Sequence, residues 1–486
     1  MPPFNPTSRE VVLLGVLLIS LLFFSTTFTT RQSSIAGLKR PYIFNGEEDS
    51  DDAKLPTLAT HYTLQSLNQP LSWGLGQVPE TKIVAHVPGW TIFDKLYMMN
   101  GTVYIVNDQP ESIPDRSRMI STAINIANGA QAQAQRVPTD KEMQIISTNE
   151  AAQLFGPDAE RIDGVTWYAN DPLQFVTHYY HWSAELFFGF WRTYSSLDPT
   201  IAPNGETALP TPRRMFFSHV DAAHWRDYAA MNQWVLRSAF PSISMEFMND
   251  FKERAEMGRA FVFDRAVLAD RAAAMYGEFF LRTQRTAANA FALPGSVNWW
   301  STIRNNVVRF AGLEGYDGAA VQGVTSTPVI TYISRQGWGR RMLIQEHHER
   351  LVQELYNLRD TYGYEVNVVS MDKLSRIEQF QLAGRTTIMM GVHGNGLTAL
   401  VWMRPTPRST VIEFFFPQGF AHDYEYTTRA LGMVHYGFWN DQSFTSPDVP
   451  PVNYPPGFQS NAIPIDGAAV ARLCQQRLTL SEEADD

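Results

Sequence analysis

From about residue 325 the chain settles into a strict alternation that constrains its fold more than any other feature. Short apolar runs at 328–333, 365–370, 386–391 and 410–416 are separated by helical patterns at 342–360, 372–383 and 396–402. Such short runs between helical patterns are expected to form buried strands. In the first helical pattern Ile344, Leu351, Leu355, Leu358 and Tyr362 recur at core spacing. Buried strands alternating with helices call for α/β class and a doubly wound parallel sheet.

The third run ends in His393-Gly394-Asn395-Gly396, after which Leu397, Leu400 and Val401 take up helical spacing. A strand, a glycine turn and a helix start present free N–H groups and a positive dipole end to an anion. Gly394 and Gly396 remove Cβ atoms that would hold phosphates away from the backbone. The plainer reading is a tight turn whose glycines supply positive φ, and His393 beside them favours a site. Two more features fall at strand ends, where open α/β sheets bind ligands. Arg335 follows the 329–334 strand, with Arg340 and Arg341 beyond the Gly337-Trp338-Gly339 turn, and Glu413 lies in the last run. Arginines beside a glycine-opened helix suit a diphosphate, and a neighbouring carboxylate suits ribose hydroxyls. The competing reading is an ordinary Arg335–Glu413 salt bridge.

A chain of 486 residues is long enough for two domains plus tails. Its net charge of −10 argues against nucleic acid as a partner. Residues 11–30 carry no charge and can span a bilayer, while Ser25–Thr30 lacks a small-x-small cleavage site, so an uncleaved signal-anchor is expected. The flanking charges lean slightly against a lumenal C-terminus. The large soluble body behind a short tail outweighs them. Residues 31–80 read as a stem; Asp49-Ser50-Asp51 within it spells D-x-D but sits in acidic low complexity with no strand around it. Asn100-Gly101-Thr102 is a usable glycosylation sequon and also the expected turn of a hairpin over 95–106. Cys474 is the only cysteine, so no intrachain disulfide exists.

In the first half, residues 171–195 read as a helix opened by Asp171-Pro172, followed by a strand at 215–220. Asp221 is expected to cap a helix with Trp225, Tyr228, Val235 and Ala239 on one face, and Phe261-Val262-Phe263 to form another strand. His178, His181, Glu185 and Arg192 share one side of the 171–195 helix. Taken plainly this is a solvated face. Trp182, Phe188 and Trp191 at its edges, with imidazole and carboxylate concentrated between them, also suit a general base. The His-x-x-His-x-x-x-Glu spacing permits a metal, but no further ligand cluster is evident and none is expected. His347 and His348 read as surface residues.

Together these residues resemble glycosyltransferase family 61. The hallmark resembles Gly391–Thr398 followed by Val411-Ile412-Glu413 and Phe416-Pro417, with Asn395 where alanine is usual. Ser334-Arg335 with Arg340-Arg341 is a second match, and Tyr180-His181-Trp182 with Glu185 a looser third. The resemblance covers roughly residues 90–440. It implies two facing Rossmann-like domains of GT-B type, a UDP-sugar donor, inversion at the anomeric carbon and type II membrane topology. The donor would be held by Arg335, Arg340, Arg341, His393, Gly394, Asn395, Gly396, Leu397, Thr398 and Glu413, with no obligatory cofactor or metal. His181 is expected to be the general base, oriented by Glu185, because an imidazole suits deprotonation of an alcohol.

The resulting division is a tail at 1–10, an anchor at 11–30, a stem at 31–80, an acceptor-side domain at 81–320, a nucleotide-sugar domain at 321–445 and a C-terminal wrap at 446–486. The expected protein is a single-pass Golgi or endoplasmic reticulum enzyme moving xylose or N-acetylglucosamine to a glycan or glycoprotein hydroxyl. Two rivals stand beside it. An α/β-hydrolase would need a G-x-S-x-G elbow, which is missing. A membrane-tethered carbohydrate-binding protein that keeps the fold without turnover is compatible with every motif above.

Overall fold

The computed structural model describes residues 69–313 and 327–480. The tail, the anchor at 11–30, Asp49–Asp51 and most of the stem lie outside them. Among the described residues no helix is long and apolar enough to cross a membrane.

The first sheet is built from β1 (Leu71–Ser72), β2 (Lys82–Val87), β3 (Trp90–Met99), β4 (Thr102–Val106), β5 (Met143–Ile146), β6 (Asp158–Ala169), β7 (Arg214–Phe217), β8 (Ser244–Glu246) and β9 (Phe261–Ala269). Its order is β5-β4-β3-β9-β6-β7-β8, with β2 added to β3 and β1 to β6. The Rossmann-like parallel sheet expected here is in fact mixed: β3 runs antiparallel to β2, β4 and β9. Two-residue turns force the β2–β3 and β3–β4 pairings, because such links join only antiparallel strands. Asn100 and Gly101, at φ 53° and 80°, close β3 onto β4, and Gly89, at φ 81°, helps close β2 onto β3. The Asn100 sequon therefore sits on an exposed turn. β6, β7, β8 and β9 form one parallel block, and β4 and β5 a separate parallel pair.

The second sheet contains β10 (Val329–Ile333), β11 (Glu365–Val369), β12 (Ile388–Val392), β13 (Thr410–Phe414), β14 (Val434–Trp439) and β15 (Gln442–Phe444). Its order is β11-β10-β12-β13-β14-β15, parallel until β15 turns back. From β10 the chain crosses first to β11 and then returns to β12 on the other side. The gap between the C-terminal ends of β10 and β12 is thus the topological switch point, where open α/β sheets hold ligands. Arg335 leaves one of these strands and His393 the other, two residues beyond the paired Ile333 and Gly391.

The lobe around this sheet extends past residue 445. After an irregular stretch, helix Gly467–Leu478 packs on helix Gln345–Tyr362 so closely that a Cβ on Gly467 would lie 2.6 Å from the Leu351 Cα. Val470, Ala471, Leu473, Cys474 and Leu478 join Leu351 and Leu355 in one core. Burial pushes the Cys474 thiol up to about 12. His347 and His348 are not loose surface groups: His347 accepts from the Ile465 N–H at 3.0 Å and His348 meets the Tyr332 hydroxyl at 3.0 Å.

The two lobes share a core. Helix Ser301–Phe310 places Ile303, Val307 and Val308 beside Phe380, Leu397 and Trp402. Indole N–H groups stitch the seam: Trp300 donates to the Val401 carbonyl at 2.7 Å and Trp402 to the Tyr179 hydroxyl at 2.8 Å.

Candidate active site

At the switch point Arg335 lies across Gly394. A Cβ on Gly394 would stand 2.7 Å from an Arg335 guanidinium nitrogen, and one on Gly396 would stand 2.9 Å from the Ile333 side chain. Neither glycine has a left-handed φ, so close approach, not turn geometry, excludes a side chain here. Arg335 is buried over the Trp338 ring at 5.3 Å, and its Nε has no partner; neither has that of Arg341. Among the described residues neither arginine forms an ion pair, and Arg340 adds its charge nearby. Burial and then Arg341 bring the Arg335 guanidinium down to about 10. Buried donors normally find acceptors. A cluster of cations lacking them is built for an anion.

Glu413 is fully buried beside this corner, and both its oxygens are occupied: His393 Nδ1 lies 2.5 Å from one, His435 Nε2 2.9 Å from the other. It makes no salt bridge with Arg335, and its oxygens are turned to imidazoles, not to a ribose. The His393 ring is walled by Phe415, Tyr424 and Phe458.

The third part comes from the first lobe. The helix expected from residue 171 begins only at Tyr179, and its first turn is widened into a π-helix over His181–Leu186. Such bulges re-aim side chains and cluster at functional sites. His181 Nδ1 meets Glu185 at 2.7 Å, while the His181 ring packs on Phe175. Arg271, itself held by Asp171, donates to the His181 carbonyl at 2.9 Å. Burial, the largest single effect on Glu185, pushes its carboxyl up, but His181, Arg285 and Arg271 together overcome it and hold it at about 2. His178 Nδ1 is buried without a partner, and burial, then His181, lower its imidazole to about 4. The face is not solvated. Arg192 leaves the group altogether, donating to the carbonyls of Leu293 and Pro294.

Two contacts bring this part onto the second lobe. The Tyr180 N–H donates to the Asn395 side chain at 3.2 Å, and the Tyr180 hydroxyl to the Asp423 carbonyl at 2.8 Å. Asn395 thereby serves as a tie between lobes, also accepting from Thr398. Leu397 and Thr398 are buried, the first within the shared core. Tyr454–Ser460 lie against these groups and line a cavity of roughly 550 Å³. The Arg341 N–H donates to the Gln459 carbonyl, Phe458 packs on His393, and Tyr454 packs on Phe458. Among the described residues no group of three or more His, Cys, Asp or Glu side chains is arranged to hold a metal.

Compared with known proteins, residues 179–412 match the family model described as Glycosyltransferase 61. The chain carries a glycosyltransferase family 61 domain. No curated protein matches the chain. A family 61 domain is that of a transferase, which passes a sugar from a glycosyl donor to an acceptor. The match begins one residue before Tyr180 and ends one residue short of Glu413. It therefore takes in His181, Glu185, Arg285, Arg335, Arg341 and the 393–396 turn. Asp423, His435 and the Tyr454–Ser460 wall fall beyond it.

Those three, with Arg271 and Arg285, are the site residues that sequence reasoning missed in and around the family 61 domain. Position alone offered a signal for Asp423: helix His422–Ala430 starts just after β13 and so opens at the ligand edge of the sheet. Nothing in the pattern marks Arg271, Arg285 or the wall.

Proposed function

We propose that the chain is an inverting, UDP-sugar-dependent glycosyltransferase of GT-B architecture, carrying xylose or N-acetylglucosamine to a glycan or glycoprotein hydroxyl. Its expected setting is the Golgi or endoplasmic reticulum membrane, held by the 11–30 segment with the body lumenal. One observation carries the reading: Arg335 is buried and Arg341 half-buried, both have a shielded Nε with no partner and no carboxylate to pair with, and they stand at the switch point beside the Gly394–Gly396 turn in an acidic chain. A diphosphate supplies the missing acceptors.

In the proposed reaction an acceptor hydroxyl attacks the anomeric carbon from the face opposite the diphosphate. The new C–O bond forms as the bond from that carbon to the phosphate oxygen breaks, and UDP leaves with the electron pair. The hydroxyl proton passes to His181 Nε2, since Nδ1 is engaged by Glu185. Glu185, locked between Arg271 and Arg285, orients the ring. Arg335 and Arg341 stabilise charge growing on the leaving diphosphate. No step in this scheme requires a metal.

The test is a screen of UDP release from UDP-xylose, UDP-N-acetylglucosamine, UDP-glucuronate and UDP-galactose, each with and without chelator. Acceptor-dependent UDP release that His181→Ala abolishes is the expected result. UDP binding without turnover of any donor would sink the enzyme reading in favour of a carbohydrate-binding protein.

A further inference from the structure

His393 lies just past the C-terminal end of β12, Glu413 near the C-terminal end of β13 and His435 near the start of the adjacent β14, and their side chains meet on the same face. Gly391 pairs with Glu413 and Glu413 with Gly437, so His393 and His435 each lie two positions from a residue in register with Glu413. Residues two apart on a strand share a face. The result is a continuous row, His435 Nε2 to Glu413 Oε2 at 2.9 Å and Glu413 Oε1 to His393 Nδ1 at 2.5 Å.

The two ends of the row differ. His435 is buried, and its Nδ1 has no partner. A proton on that nitrogen would be an orphan donor in the core, so the ring proton belongs on Nε2, donated to Glu413. The His393 side chain keeps 13% exposure, and its Nε2 has no protein partner among the described residues. Its ring stands next to Gly394, over which the Arg335 guanidinium lies.

We infer that His435 is a positioning residue: by occupying Glu413 Oε2 it fixes that carboxylate so that Oε1 holds the His393 Nδ1–H and turns Nε2 towards the anion corner. Without the His435 bond, Glu413 would be a buried acceptor with one empty oxygen, free to rotate about its terminal torsion. Outer partners of this kind set the tautomer and orientation of a working imidazole. The turnover part of the test rests on the proposed sugar transfer; the ring-nitrogen part does not.

Two amides separate the role from packing. The glutamine Nε2 stands where the histidine Nε2 does, whereas asparagine stops at the level of Nδ1. His435→Gln should therefore keep the donor to Glu413 and His435→Asn should lose it, at similar polarity. In the full chain with histidine ring nitrogens labelled, and the His393 signals assigned through His393→Gln, nitrogen NMR reads the tautomers directly. Wild type should show the proton of His435 on Nε2 and that of His393 on Nδ1. His435→Gln should preserve the His393 pattern and His435→Asn should give a mixture of His393 tautomers. With the donor found in the screen, turnover should fall roughly ten- to hundredfold in His435→Asn, the range for removing such an outer partner. It should stay within about threefold of wild type in His435→Gln. A His435 proton on Nδ1 in wild type, or equal behaviour of the two amide variants, overturns the proposal even if neither variant folds as well as wild type. Absence of any donor turnover with the expected ring-nitrogen pattern would refute the sugar-transfer reading and leave the row standing.

Discussion

Arg285 reaches Asp423 at 2.5 Å across the seam between the lobes, and the same guanidinium nitrogen lies 3.6 Å from Glu185. One cation thus neutralises a carboxylate from each side. Burial alone would weaken its charge, but Asp423, Tyr180 and Glu185 outweigh that and raise the Arg285 guanidinium above its ordinary value. Removing one member strands the others. Arg285→Met or Asp423→Asn should each cost about 3–5 kcal/mol of stability by urea unfolding. The double variant should cost clearly less than the sum, and strict additivity would show that the pair is not coupled.

Arg335 has the opposite character, because the protein does not use it. Arg335→Ala should weaken UDP binding by about 1.5–3 kcal/mol by calorimetry. Its melting temperature should hold or rise, since a buried cation without a partner is removed. Unchanged UDP affinity would make Arg335 irrelevant to the anion.

The glycines of the turn separate binding from folding. Gly394→Ala pushes against the end of a flexible arginine, so it should reduce UDP affinity while the fold survives. Gly396→Ala pushes against Ile333 in the packed core and should cost about 1–3 kcal/mol of stability. Equal effects of the two on unfolding would contradict this division.

His181→Ala should lower turnover by about 10²–10⁴-fold. UDP affinity should persist, because the anion corner belongs to the other lobe. Glu185→Gln is the less clean probe: it leaves Arg271 and Arg285 short of a carboxylate, so unfolding must be measured alongside turnover.

Acidification should destabilise the protein in two stages. His178 and His86 are both lowered to about 4, chiefly by burial, with His181 and Arg118 respectively adding to it. Between their unfolded value of 6.5 and about 4 the unfolded chain binds the extra protons. Their contribution is therefore complete above that value and lost as pH falls towards 4. Below about 4.5 the carboxyls of Glu185 and Glu425, both held near 2, begin to act in the same direction. His86→Gln, far from the site in sequence and bonded only to Thr91, should flatten the first stage of the pH–melting curve. A wild-type melting temperature constant from pH 7 to 4.5 would contradict the assignment.

The second sheet was legible because β10, β12 and β13 are buried on both faces and carry the pattern openly; β10 to β13 fall within a few residues of their expected places. That Arg335, Arg341 and the 393–396 turn come together was legible for the same reason, as strand ends are fixed once strands are. The first sheet was not, since its antiparallel pairings hang on turns at Gly89 and Asn100-Gly101 that say little about the long-range partner β9. The helix after Asp221 misled for a local reason: Asp227 accepts from the N–H groups of Met231 and Asn232, so the helix starts at Asn232, and Tyr228 stands in solvent. Glu413 shows the limit at the site. Its place on the strand was readable, but the claim of two histidines on its oxygens was not, because His435 comes from a strand whose register only the folded sheet reveals.

The helix at Gly467–Leu478 has a consequence for how the molecule is made. During synthesis the chain emerges from its N-terminal end, and domains tend to fold as they appear. Here β10 to β14 can leave the ribosome and still lack the helix that covers them, along with the Tyr454–Ser460 wall of the cavity. The second lobe thus closes only once that helix has emerged, and a premature stop or a bulky fusion near residue 465 would be felt first at the switch point.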